Sequence, residues 1–236
     1  MIGGKSSLIT GCLNKGEVKI PNNVYSAWAG GIAGTVTGNN SAVTATVSNC
    51  ENTGDVESYF AAGGIVGYVS GRGGAYVYNS YNTGDVVGNT DAGGIVGLLY
   101  YSNALAENCY SRGNVSGGPN VGGIVGLMMY STLNNCYYPM SAGKAVGTIK
   151  SGTTISECEA FTSTAGTHTL NAAVYGTTDL LSALRAWVSA EGKPELWDWM
   201  ADPMDENYPV FARSYRVMFH TNGGTIENEA NYTSYI

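Results

Sequence analysis

The chain has 236 residues, a formal net charge of −7 and a charged fraction of 12%, about half the share usual in globular proteins. Its hydrophobic fraction of 44% is enough to form a core, which excludes a chain disordered by composition, and its 11 Lys and Arg residues are too few for a surface that follows nucleic-acid phosphates. The 34 glycines and 17 tyrosines suit β-structure with many tight turns.

The first residues lack the pattern of a signal peptide, and no apolar run approaches the roughly 18 residues that span a bilayer. We therefore expect no membrane insertion in this segment. Repeats begin almost at once, so we expect a piece of a longer exported protein whose export signal lies upstream.

A five-residue phrase, Gly-Gly-Ile followed by Ala or Val and then Gly, recurs about every thirty residues. Its four copies begin at Gly30, Gly63, Gly93 and Gly122, and a weaker copy begins at Gly143. A period of this length is typical of solenoids, in which each repeat buries its apolar face against its neighbours.

A second block, ending in Asn-Cys or Asn-Ser, alternates with the glycine phrase. Its full copies end at Cys50, Ser80, Cys109 and Cys136, and weaker copies end at Cys12 and Cys158. A turn such as Asn-Thr-Gly-Asp-Val follows three of the full copies. Each repeat thus offers three short apolar stretches between Gly and Asn corners. This arrangement predicts an all-β fold, a parallel β-helix of about five coils with equivalent residues about 4.8 Å apart.

The asparagine of this second block is interpreted as a corner residue, because Asn tolerates the left-handed conformation that a bend needs. The alternative is a ladder of binding residues. All five cysteines share the next repeat position, so we expect a row of small, buried, reduced thiols rather than disulfides or a zinc site.

One turn position carries acidic or amide side chains in successive repeats: Glu17, Asp55, Asp85 and Asn114. Calcium could bridge such a row. The favoured interpretation is ordinary turn chemistry with solvated carboxylates, so no metal or other cofactor is expected.

Three tyrosines, Tyr81, Tyr110 and Tyr137, follow the Ser or Cys position and should face outward if the cysteines face inward. A row of exposed rings offers flat faces to a glycan or to a protein partner, and these three are the candidate binding residues. The alternative is that neighbouring rings stack on one another and stabilise the coils.

The glycine phrase, with Asn-Cys-Tyr and Gly-Asp-Val behind it, resembles the GLUG-motif repeat of large bacterial surface proteins over about residues 1–158. The resemblance implies a right-handed β-helix-like module, exported and attached to the cell surface. It implies no activity, because in such chains the repeat is a stalk or a binding region.

Residues 159–212 carry no repeat and are expected to form a small α+β cap over the open end of the solenoid. An amphipathic helix is predicted over residues 178–188, capped by Thr177 or Thr178, with short strands at 195–199 and 208–211. The last segment, 213–236, resembles the opening of a Listeria–Bacteroides (internalin B-type) repeat, which implies a surface protein as well.

Enzymatic activity is not expected. His168 and His220 both lie outside the repeats, and the repeats contain few cations. The prediction is a non-catalytic module of a secreted bacterial protein, acting in adhesion or ligand binding. A passive stalk is the alternative, and a polysaccharide-degrading β-helix enzyme is the least favoured class.

Overall fold

The structure is a computed structural model that describes residues 6–21, 27–39, 43–193 and 195–212. Over these residues the chain forms a parallel β-solenoid with a small mixed segment against one flank. The segment 213–236, with its internalin-type resemblance and His220, lies outside the described residues.

Each complete coil has five short strands, which form five sides of the solenoid, A to E in chain order. The first coil is β1 (Ser7–Thr10), β2 (Leu13–Asn14), β3 (Val18–Lys19), β4 (Trp28–Gly30) and β5 (Ala33–Thr37). The second is β6 (Ala45–Ser48), β7 (Glu51–Asn52), β8 (Val56–Ser58), β9 (Ala61–Gly63) and β10 (Val66–Ser70). The third is β11 (Ala75–Tyr78), β12 (Tyr81–Asn82), β13 (Val86–Gly88), β14 (Asp91–Gly93) and β15 (Val96–Tyr100).

The fourth coil is β16 (Ala104–Glu107), β17 (Tyr110–Ser111), β18 (Val115–Gly117), β19 (Asn120–Gly122) and β20 (Val125–Met129). A fifth, incomplete coil omits sides C and D and consists of β21 (Thr132–Asn134), β22 (Tyr137–Pro139), a 3-10 turn (Met140–Ala142) and β23 (Val146–Ile149). Two further strands, β24 (Thr154–Ser156) and β25 (Glu159–Thr164), extend sides A and B.

Stacked strands pair in parallel and in register, so that Val47 lies between Ile9 and Val77. The predicted parallel β-helix is confirmed, with four complete coils and a partial fifth. The expected three strands per coil are wrong, because there are five. The three predicted stretches correspond to sides A, C and E. The strands of sides B and D have only two or three residues in these coils, too few to show a periodic pattern.

The asparagine corners lie between sides A and B and adopt the left-handed conformation, as predicted. Their φ angles are 52° at Asn49, 44° at Asn79, 50° at Asn108 and 48° at Asn135. Each corner turns the chain so that the following Ser or Cys points into the core.

The glycine phrase forms the corner between sides D and E, where the backbone passes very close to its neighbours. A β-carbon at Gly63 would lie 2.0 Å from the carbonyl oxygen of Val66. One at Gly64 would lie 2.1 Å from the Gly94 carbonyl oxygen and 2.3 Å from Asn82 Cγ. Asn82 belongs to the Asn-Thr-Gly turn, so the two sequence motifs meet across the coil.

The C-terminal segment continues side B and then folds back along it. β25 pairs antiparallel with β26 (Thr167–Val174), which pairs with β27 (Thr177–Asp179). Helix α1 (Leu180–Glu191) follows, and β28 (Trp199–Ala201) pairs with β29 (Pro209–Phe211). The helix cap is Asp179, whose Oδ1 accepts a hydrogen bond from Ser182 N at 2.8 Å, rather than Thr177 or Thr178. Most of the segment packs on the flank of side B, whereas we expected it over the end of the solenoid.

Candidate functional site

The flank of side B carries the residues that sequence analysis had singled out, the asparagine corners and the tyrosine row. The asparagine side chains form a continuous ladder in which each amide Nδ2 donates to the Oδ1 of the preceding coil. The distances are 2.8 Å from Asn79 to Asn49, 2.7 Å from Asn108 to Asn79 and 2.6 Å from Asn135 to Asn108. All four side chains are fully buried, where a chain of satisfied amides is stabilising and an unsatisfied one is costly.

The same ladder binds the C-terminal segment. Asn49 Nδ2 donates to the Glu195 carbonyl at 2.8 Å, and Asn49 Oδ1 accepts from Trp197 N at 3.0 Å. Asn79 Nδ2 donates to the Trp197 carbonyl at 2.8 Å, and Asn79 Oδ1 accepts from the Trp199 indole Nε1 at 2.7 Å. The amides therefore act like the free edge of a strand and hold an extended peptide. The asparagines therefore have two roles: they form the corners of the coils, and their side chains bind the C-terminal segment of the same chain.

The tyrosine row lies beside this ladder and is covered. Tyr81, Tyr110 and Tyr137 are 2%, 0% and 0% exposed. Tyr81 and Tyr110 stack on each other with ring centroids 5.3 Å apart, and the Trp199 ring lies 5.8 Å from both. The Tyr110 hydroxyl donates to the Pro209 carbonyl, and that of Tyr137 donates to Asn135 Oδ1. Burial raises the pKa of Tyr110 and of Tyr137.

The prediction that these three tyrosines are exposed is therefore wrong. They point away from the solenoid core, but Trp199 and Phe211 occupy the space where a ligand would lie. The alternative, stacking that stabilises the coils, is what Tyr81 and Tyr110 show. The covering residues come from about ninety or more positions later in the chain, so no local signal could have revealed them.

The acidic turn residues fasten one coil to the next. Asp55 Oδ1 accepts from the backbone N–H of Asp85 at 2.9 Å, and Asp85 Oδ1 accepts from that of Asn114 at 2.9 Å. Within the part of the chain that the structure describes, no group of three or more His, Cys, Asp or Glu side chains could hold a metal ion.

All five cysteines are free thiols. Cys50, Cys109 and Cys136 are buried in the core, as predicted, whereas Cys12 is exposed and Cys158 is half-buried, so the row is not buried throughout. Each Sγ approaches the carbonyl two residues earlier, at 3.1 Å for Cys50. Burial raises the pKa of Cys50 to about 11, which makes it a poor nucleophile.

A serine–histidine pair lies outside the repeats, and the sequence did not reveal it. Ser163 Oγ and His168 Nδ1 are 2.8 Å apart, and His168 Nε2 lies 3.0 Å from the Glu206 carbonyl oxygen. Nε2 must donate to that carbonyl, so Nδ1 accepts from the serine. Such a pair can activate a nucleophile. Here, however, Ser163 also bonds the Tyr208 hydroxyl at 2.9 Å and the imidazole stacks on that ring, so the group ties a hairpin to the loop before β29.

None of the described helices is long and apolar enough to cross a membrane. A groove beside α1, of about 520 Å³, is lined by Arg185 and Asp198 among others, and these two charges pair with each other at 3.2 Å. Its lining also includes Ser182 and Ser189, and among the described lining residues there is no His or Cys.

No family model and no curated protein matches the chain. Among solved structures, it is similar to a Bacteroides ovatus protein named "putative immunoglobulin A1 protease", with 24% sequence identity and a TM-score of 0.53. The match covers 75% of this chain and 60% of that one, so the chain spans less than two thirds of that protein. At this identity the likeness shows the β-solenoid fold alone.

Proposed function

We propose that this chain is a rigid, non-catalytic module of an exported bacterial surface protein, which spaces and presents other parts of that protein. One observation supports the proposal: the polar rows of the repeat, which are the corner asparagines and the turn aspartates, make their hydrogen bonds within the molecule. The corner asparagines bond one another and the C-terminal segment, and the turn aspartates bond the next coil. Little of this chemistry is left to act on a substrate.

A catalytic centre needs convergent groups whose different environments push their pKa values apart. A translational repeat instead gives equivalent side chains equivalent surroundings, as the two aspartate contacts of 2.9 Å illustrate. The Ser163–His168 pair breaks the repeat, but both of its members are bound to Tyr208 or to the loop that precedes it. This arrangement suits a structural link between the β25–β26 hairpin and the loop before β29.

The location rests on resemblance. The sequence repeats of residues 1–158 resemble the GLUG motif, which is typical of exported, surface-attached chains. The similar Bacteroides ovatus structure shares the fold. The name of the Bacteroides ovatus protein mentions a protease. A protease activity of the present chain would require residues other than the repeated corner asparagines and turn aspartates, which bond one coil to the next. Adhesion is the second candidate, and it no longer involves the buried tyrosine row. It is favoured by a different, partly exposed set of aromatic side chains on side E and the corner that follows it.

The proposal is tested by incubating the purified chain with a casein substrate and with polygalacturonate, beside a Ser163→Ala variant. We expect no turnover above buffer in either protein. Turnover by the wild-type chain that the Ser163→Ala variant lacks would refute the proposal and would identify the pair as catalytic. Turnover common to both proteins would also refute it and would place the chemistry elsewhere.

A further inference from the structure

We propose that side E and the corner that follows it form a binding surface for an acidic carbohydrate chain. This surface is distinct from the covered flank of side B, and the inference goes beyond the spacer role.

The strands of side E carry no charged side chain, and the charges of this region lie on the corners that follow them. Strands β10, β15 and β20 contain no Asp, Glu, Lys or Arg. Tyr68, Leu98 and Leu127 stand in register on these strands, and all three are half-buried. The Trp28 ring stacks on Tyr68 with centroids 5.1 Å apart. A contiguous strip of partly exposed apolar and aromatic side chains marks an interaction surface more often than chance exposure does.

The strip continues onto the corner between sides E and A as a run of rings. The Arg72 guanidinium lies over the Tyr101 ring at 4.6 Å and donates to its hydroxyl at 2.7 Å. Tyr101 stacks on Tyr100 with centroids 3.8 Å apart, and Tyr130 follows at 6.3 Å from Tyr100. The cluster thus reaches across three successive coils.

Two of these tyrosines occupy backbone positions that do not suit them. Tyr101 has φ 75° and Tyr130 has φ 53°, the left-handed region that bulky residues avoid. The Tyr101 N–H donates to the last residue of side E in the next coil, as the N–H groups of Gly38 and Gly71 do in the earlier coils, whereas the Tyr130 N–H donates to Ser151, beyond the end of β23. Tyr130 is 45% exposed, so burial does not offset the strain. Gly or Asn would suit these two backbones better. The exposed Tyr175, in the turn between β26 and β27, has the same kind of backbone, so what distinguishes Tyr101 and Tyr130 is their place in the ring cluster beside side E.

The charged residues of side E and its corners indicate an anionic ligand. The side E strands and following corners, residues 66–74, 96–103, 125–131 and 146–153, contain no Asp or Glu but include Arg72 and Lys150. Both cations are exposed. In a chain of net charge −7, this strip is positive and matches an anionic partner. A guanidinium binds carboxylate and sulfate groups with two parallel hydrogen bonds.

The surface suits a carbohydrate for two further reasons. Flat rings with hydroxyl groups can take both the apolar face and the polar edge of a sugar, and they recur along the solenoid as units recur along a polysaccharide. Two cations are too few for nucleic acid, where affinity comes from many phosphate contacts. Contacts of this kind are weak singly and add up along the chain through avidity.

The experiment measures binding of the full chain to polygalacturonate by affinity gel electrophoresis, with neutral dextran as the comparison polymer. The test protein is the double variant Tyr101→Asn/Tyr130→Asn, which removes two rings and relieves their strained backbones. The matched control is Tyr175→Asn. Tyr175 is 47% exposed with φ 49°, but it lies in the turn between β26 and β27.

We expect wild-type and Tyr175→Asn to bind polygalacturonate equally, and the double variant to bind at least tenfold more weakly while unfolding at the same or a higher temperature. Arg72→Gln should weaken binding to polygalacturonate and reduce its salt dependence. The inference is overturned if wild-type binds dextran as well as polygalacturonate or binds neither, or if the double variant binds like wild-type. None of these outcomes bears on the spacer role, whose failure would appear as substrate turnover.

Discussion

Asn79 is the residue at which the solenoid and its C-terminal segment are most closely joined. Its side chain makes four hydrogen bonds, donating to Asn49 and the Trp197 carbonyl and accepting from Asn108 and the Trp199 indole. Replacing Asn79 with Gly leaves two buried donors short of their acceptor: the Trp199 indole N–H and one amide N–H of Asn108. At about 1–3 kcal/mol for each of these two groups, we expect a loss of about 2–6 kcal/mol in the free energy of unfolding.

The companion variant Asn79→Ala separates hydrogen bonding from backbone strain. Asn79 has φ 44°, a conformation that costs alanine about 1–2 kcal/mol, while glycine adopts it freely but loses more entropy on folding. Asn79→Ala should therefore be about 1 kcal/mol less stable than Asn79→Gly.

Urea unfolding followed by tryptophan fluorescence measures both variants, with Asn39→Gly as an exposed control. Since a domain is stable by only about 5–15 kcal/mol, the effect should move the midpoint far. A loss below about 1 kcal/mol for Asn79→Gly would show that the ladder does not hold the segment.

Three further predictions concern the core and the fastening of the hairpin. Gly64→Ala places a β-carbon 2.1 Å from the Gly94 carbonyl and should cost more than 3 kcal/mol in a thermal or urea unfolding series, whereas Gly176→Ala, with φ 75° but nothing within 4 Å, should cost about 1 kcal/mol. Titration with a thiol reagent should label Cys12 quickly and leave Cys50, Cys109 and Cys136 unlabelled until the chain unfolds, when five thiols should react without reductant; a smaller number would reveal a disulfide. Burial lowers the pKa of His168 below its usual 6.5, so the unfolded chain takes up the proton first and stability should fall as pH drops below about 6.5. His168→Gln should lose less stability than wild-type between pH 7.5 and 5, and equal losses would contradict this assignment.

The solenoid could be predicted from sequence because its causes are local and repeated. Gly63 and Gly64 are required by contacts of about 2 Å that recur in each coil, and Asn79 by its left-handed corner. The helix could be predicted for the same reason, although its cap is Asp179 rather than a threonine. The strands of sides B and D were not predicted, because a two-residue strand such as β12 is too short to show a periodic pattern.

The candidate site could not be predicted, because its partners are distant in the chain. The outward direction of Tyr110 follows from its place beside a buried cysteine, but its cover by Pro209 and Trp199 depends on tertiary packing. The half-buried ring of Tyr101 and the exposed ring of Tyr130 were overlooked because neither residue belongs to the repeated glycine phrase. Their signal was an aromatic residue at a corner where other coils carry glycine.

The central claim is that the polar rows of the solenoid hold the molecule together, including its own C-terminal segment. Residue-resolved amide hydrogen exchange tests it most directly at Trp197, whose N–H donates to Asn49 Oδ1 at 3.0 Å. We predict that this amide exchanges as slowly as that of Asn79, which donates to Glu107 within the solenoid at 3.0 Å. Exchange of Trp197 at the rate of an unstructured peptide, with the Asn79 amide still protected, would contradict the claim.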